Sequence, residues 1–194
     1  GLLSYLVRFG WSFGDEEIFS KADLIEKFDW DRCSKADGKF DFKKLSAVAF
    51  EHLKTERLTP TEEYAAGALR FLQKAGFDRV DDAVLHKALP LIRERAQTFV
   101  EAASALDYFF RDPPLMDDKA VKKFLTADKA QRLQDLRDLV AASPSFTAKE
   151  MEAEATAWLA KENLQLKDVA QAARVALTGR SASPGLFEVM EVLG

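Results

Sequence analysis

The sequence is poor in the residues that staple, ligate or catalyse. A single cysteine, Cys33, stands in 194 residues. No internal disulfide can form, and such usage suits a reducing, cytoplasmic setting. Two histidines, His52 and His86, cannot join that one thiol in the usual structural zinc site. The 9 glycines are scattered, so no glycine-rich loop exists to cradle a phosphate. No apolar run approaches bilayer length. A net charge of −4 argues against a coat that clings to any nucleic acid, which needs a broadly basic surface, yet it leaves room for a local basic face. Acidic pairs at Glu16-Glu17, Asp81-Asp82 and Asp117-Asp118 sit at predicted helix starts. There they complement the helix dipole, and adjacent helical residues diverge instead of sharing a site. Catalytic constellations are missing, and the chain reads as no enzyme by itself.

What the sequence does have is helical period. Hydrophobic residues make up 47 % and charged residues 31 %, enough for a sizeable core in a chain of one to three domains. Ser20 precedes an amphipathic stretch with Leu24, Ile25 and Phe28 on one face, and Asp41 caps "FKKLSAVAFEHLK". "TPTE" at 59–62 reads as a capping box with Pro60 in the first helical position; Gly76 ends that helix. The next stripe runs Leu85, Ala88, Leu89, Ile92, Ala96, with a kink or a restart expected at Pro90. Pro113-Pro114 is the clearest linker. Beyond it come a short helix near 117–125, a longer one to about Ala142, a second capping box at Thr147 and Glu150, and two closing helices. Period-2 alternation and hairpin turns do not occur. The fold class is therefore all-α, as two to three small bundles with boundaries at about 1–58, 59–115 and 116–194. Both ends open or stop within a helical pattern, and the chain is expected to be a piece of a longer protein.

Between the last two helices lies "ALTGRSASPGLFEV", 176–189: a glycine stop, small hydroxyls and a helix restart at Ser183-Pro184, with Arg174 and Arg180 on either side. Ser183 fits an N-cap, and a helix N-terminus beside arginines also suits phosphates or base edges. Arg93 and Arg95, at helical spacing, flank the apolar stripe before Gln97. A flanking arginine either snorkels over the core edge or reaches for an anion. The residues alone leave both open.

"ALTGRSASPGLFEVMEVLG" resembles the C-terminal signature of bacterial glutamyl-tRNA synthetases, and "LLSYLVRFGWSFGDEEIFS" the segment after that family's second ATP-handling motif. "FDFKKL" and "IRERAQTFVEAA" fall between them in the family's order. The resemblance spans essentially the whole chain. It implies a stem-contacting helical unit (1–58) and two helical anticodon-binding domains (59–115 and 116–194). The Rossmann catalytic domain would then lie upstream as the partner within the same protein. It implies tRNA(Glu) as the RNA partner, no DNA and no membrane, no cofactor held by these residues, and ATP and Mg used by the parent ligase. Arg95 matches the family arginine at the third anticodon base; Arg174, Ser183 and Leu186 match positions around the other two, with Arg93 and Arg180 as further RNA contacts. Glutaminyl-tRNA synthetases read the anticodon with β-barrels, which this sequence cannot build. Phe13 stands where the family usually has His, and Ala47 and Ala49 where it usually has Trp and Asn. Those departures keep a second reading alive, a helical scaffold derived from the same fold that no longer selects tRNA.

Overall fold

The computed structural model describes residues 1–35, 38–113 and 116–194. Among these, eleven α-helices and three short 3-10 turns carry the chain, and two isolated bridges, Trp11–Cys33 and Phe13–Glu16, are the only extended pairings. The all-α expectation holds. Pro114, half of the expected linker, lies outside the described residues. The chain forms two compact units, Gly1–Ala75 with Arg93–Ser104 and Gly76–Ile92 with Ala105–Gly194.

In the first unit, α1 (Leu2–Val7) packs on α3 (Phe42–Lys54). Ser4 and Tyr5 face inward, whereas Leu2, Leu3 and Leu6 are exposed. Ser4 Oγ donates to Phe19 O at 2.6 Å. With its proton spent there, Ser4 can only accept from His52 Nε2, 2.7 Å away, so that nitrogen carries the hydrogen. Tyr5 Oη accepts from Asp41 N at 2.6 Å, while the Asp41 carboxylate caps α3 through the amides of Lys43 and Lys44. Ser20 and Asp23 exchange hydrogen bonds in a full capping box at α2 (Lys21–Lys27). The apolar face expected for α2 stays open: Leu24 is half-buried and Ile25 and Phe28 are exposed.

Helix α4 (Thr61–Lys74) starts one residue later than its sequence suggests. Thr59 makes no cap because its Oγ1 donates to His52 O at 2.8 Å. The helix ends at Gly76, whose φ of +87° needs glycine. Phe99 lies over Gly67, where a Cβ would come within 2.3 Å of its ring, and meets Tyr64 at 5.4 Å.

Helix α5 (Asp82–Arg93), in the second unit as far as Ile92, runs through Pro90 as one helix and buries Leu85, Ala88, Leu89 and Ile92. Helix α6 (Phe99–Leu106), of which Phe99 to Ser104 belong to the first unit, passes into a 3-10 turn at Asp107–Phe109. Asp117 caps α7 (Asp118–Phe124). Helices α8 (Ala130–Ala141), α9 (Ala148–Lys161), α10 (Lys167–Thr178) and α11 (Leu186–Leu193) enclose a core of Leu136, Val140, Met151, Leu159, Val169 and Phe187. Thr147 caps α9, but Glu150 reaches Ser145 instead of closing the box. Among the described residues no helix is long and apolar enough to cross a membrane.

Candidate functional site

The loop from Gly179 to Gly185 is built by its two flanking helices. Gly179 ends α10 in the left-handed region, φ +71°, with its amide on Val175 O. Thr178, buried, donates from Oγ1 to Arg174 O at 2.8 Å and accepts from Arg180 N at 3.2 Å, turning the chain outward. Gly179 O accepts from Asp117 N at 2.9 Å, fixing the turn to the start of α7.

Arg174 then closes the loop. Its Nη1 donates to Ser183 O (2.9 Å), Ser183 Oγ (2.6 Å) and Pro184 O (2.7 Å). Ser183 Oγ in turn donates to Pro184 O at 2.9 Å. Ser183 is thus no N-cap: α11 begins at Leu186, and the Gly185 amide is satisfied by Glu188 Oε2 at 3.1 Å. The physical reason is competition, since a guanidinium two turns back outbids a backbone amide for a hydroxyl.

Around this loop opens a cleft of about 560 Å³ between α9, α10 and α11, lined by Lys149, Glu152, Ala170, Arg174, Leu186 and Glu188 among others. Lys149 is exposed and has no ion-pair partner among the described residues. Sequence reading missed it, because nothing local in α9 announces that α11 packs beside it. Arg174 and Leu186 come together here with Ser183. Leu186 is 5 % exposed and packs in the core with Phe187, so it offers the cleft its edge only.

The other candidates are placed differently. Arg180 Nη2 pairs with Asp107 Oδ2 at 2.5 Å, and its guanidinium lies 5.9 Å from the Tyr108 ring. Arg93, in the first unit, donates from Nε to Leu53 O (3.0 Å) and Lys54 O (3.1 Å), and from Nη2 to Thr59 O. It clamps the end of α3 to the start of α4 and sits 5.0 Å from the Tyr64 ring. Arg95 does not flank a helix: α5 ends at Arg93, and Arg95 stands exposed in the following turn, with no hydrogen-bond or ion-pair partner among the described residues. Phe13, one of the departures, stacks on Trp11 at 6.1 Å with Arg32 4.8 Å above its ring.

Among the described residues no group of three or more His, Cys, Asp or Glu could hold a metal ion. What remains are donor-only cations beside a shaped loop, suited to acceptor edges and phosphates.

The family model for the anticodon binding domain matches residues 55–194. The chain is 40 % identical over 193 residues to the glutamate–tRNA ligase of Anaeromyxobacter dehalogenans (strain 2CP-C), aligning across 100 % of this chain and 40 % of that protein. The glutamate–tRNA ligase of Geotalea uraniireducens (strain Rf4) is 39 % identical, with 100 % and 41 % covered. The chain spans about 40 % of the length of these curated relatives. Among solved structures, a glutamate tRNA ligase from Elizabethkingia meningosepticum CCUG26117 superposes with a TM-score of 0.86 at 24 % identity, over 100 % of this chain and 38 % of that one. At that identity the likeness speaks for the fold.

Proposed function

We propose, since the chain belongs to the anticodon binding domain family, that it reads tRNA(Glu) as the RNA-recognising part of a glutamate–tRNA ligase. The observation that carries this reading is the Arg174 staple. One guanidinium nitrogen holds Ser183 and Pro184 in place, and the cleft beside them is edged by Lys149, which has no ion-pair partner among the described residues. A splayed base needs such a pre-shaped loop, with acceptor edges met by donors and a phosphate met by a mobile cation. Arg95, exposed and without a partner among the described residues, reads the third anticodon base through its donor-only guanidinium. Ser183 acts by shape, through the loop it anchors, and Leu186 by closing the floor of the cleft. Arg180 buttresses the loop from Asp107, and Arg93 aligns the turns of the first unit.

In this reading residues 1–58 contact the tRNA stem, and 59–115 and 116–194 read the anticodon. The upstream catalytic domain is the partner that uses ATP and magnesium, in the cytoplasm, with no DNA and no membrane involved. Gel-shift competition tests it. Excess unlabelled tRNA(Glu) displaces labelled tRNA(Glu) from the chain at concentrations where tRNA(Gln) does not. Equal displacement by the two would leave a helical scaffold that no longer selects tRNA.

A further inference from the structure

The outer face of α3 carries a feature that the anticodon reading does not use. Phe42, Ser46 and Phe50 follow at i, i+4 and i+8, so one stripe of the helix presents two rings with a small-residue gap between them. Phe42 is 76 % exposed, and its only ring contact among the described residues is an edge-on approach to Phe40 at 4.9 Å. Phe50 is half-buried, with Lys54 Nζ 5.9 Å from its ring on one side. Ser46 and Ala47 form the floor. Gln97, from the turn that bears Arg95, supplies the far wall, and Lys43 completes a cleft of about 430 Å³. That is within the roughly 300–1,000 Å³ of ordinary ligand clefts.

The cation that lines the cleft is uncommitted: Lys43 has no ion-pair partner among the described residues. Of the carboxylates on these elements, Asp41 caps α3, Glu51 pairs with Lys54, and Glu101 accepts from the Gln97 amide. An exposed and a half-buried ring beside an unpaired cation, with an amide that can donate or accept at the rim, form the chemistry of a single-stranded nucleic-acid platform. A protein partner's apolar face would leave Lys43 without a counter-charge, whereas an RNA backbone supplies one.

We propose that this notch is a base-stacking site: one unstacked nucleotide of the bound tRNA lies between Phe42 and Phe50 over Ala47, its phosphate near Lys43 and its base edge toward Gln97. The proposal rests on the tRNA reading above and adds a subsite on α3, outside the 55–194 segment that the family match covers. The bulkless Ala47 is what leaves the notch open; a larger side chain there fills it.

The test is the affinity of the chain for a tRNA(Glu) transcript. Phe42→Leu keeps apolar bulk but removes the π-face, and is expected to weaken binding by about five- to a hundredfold, the range of one lost base–aromatic stack. Phe42→Trp is expected to hold or tighten it. Ala47→Leu, at an exposed helix position, blocks the notch and is expected to weaken binding comparably. Lys43→Ala is expected to reduce the slope of log affinity against log salt by about one. If Phe42→Leu and Ala47→Leu bind like the parent chain while Arg174→Ala loses affinity, the notch is no RNA site and the anticodon reading stands. If Phe42→Leu changes self-association and not RNA affinity, the face is a protein interface and the proposal falls. If the parent chain binds no tRNA, both fall together.

Discussion

Arg174 Nη1 has two N–H bonds and spreads them over three oxygens of Ser183 and Pro184. Hydrogen bonds from a charged donor contribute about 1.5–3 kcal/mol each at best, and the freed carbonyls here partly regain water. Arg174→Ala is therefore expected to destabilise the chain by about 1–3 kcal/mol while leaving helicity unchanged. It should lower tRNA affinity by roughly tenfold or more, because the loop it shapes is lost. Urea unfolding and tRNA titration on the same preparation separate the two effects. A fall in stability with affinity intact would make Arg174 purely structural. His52 behaves differently. Burial, and then the charges of the N-terminus and Arg57, push its pKa below the usual histidine value. A base whose folded pKa is depressed takes up more protons unfolded than folded, so stability is full above about 6.5 and declines as pH falls through that value. Denaturation midpoints measured between pH 7.5 and about 5 should drop on the acid side. His52→Gln, which keeps a donor for Ser4 but cannot charge, should flatten the profile; an unchanged slope would place the titration elsewhere.

Elements were legible where their signals are local. Ser20, Asp41, Asp117 and Thr147 all cap the helices their sequences announce, since a cap is decided within three residues. Gly179 ends α10 as its position suggested. The failures are those in which a distant group competes. Thr59 gives its hydroxyl to His52 O, and Ser183 is taken by Arg174, so both expected caps dissolve and the helices start later. The carbonyl clamp of Arg93 spans 40 residues, and no periodicity shows it. Arg95 was read on a helical face because the stripe continues to Ala96, which is indeed buried, although the helix itself ends at Arg93. Of the candidate site, the loop and its arginines were readable from composition and order; Lys149 and the notch on α3 were not, because they depend on which helices lie side by side. Gly179 gives the element-scale test. A side chain at φ +71° costs roughly 1–2 kcal/mol. Gly179→Ala should lower the urea midpoint accordingly and weaken tRNA binding through the displaced loop. A midpoint equal to that of the parent chain would mean the turn is not held in this conformation.

For the whole molecule, a net charge of −4 and an RNA partner are compatible because the cations are sorted locally. Arg93 and Arg180 are spent on the protein's own oxygens, while Lys43, Lys149 and Arg95 have no ion-pair partner among the described residues. The central claim is that these unpaired cations read bases, and Arg95 states it most sharply. Glutamate anticodons end in C, and the corresponding glutamine anticodons end in G. The Watson–Crick edge of C offers O2 and N3 as adjacent acceptors, whereas G has one acceptor there, O6, and turns N1–H and N2–H donors toward a guanidinium that can only donate. A well-placed arginine–base contact discriminates by about 1–3 kcal/mol, roughly ten- to a hundredfold. The decisive measurement is the ratio of affinities of this chain for two tRNA(Glu) transcripts that differ only in the third anticodon base, C or G, before and after Arg95→Gln. The expected result is a preference for C of about tenfold or more that collapses toward unity with glutamine, which can offer either a donor or an acceptor. A C-to-G ratio that Arg95→Gln leaves unchanged would contradict the account.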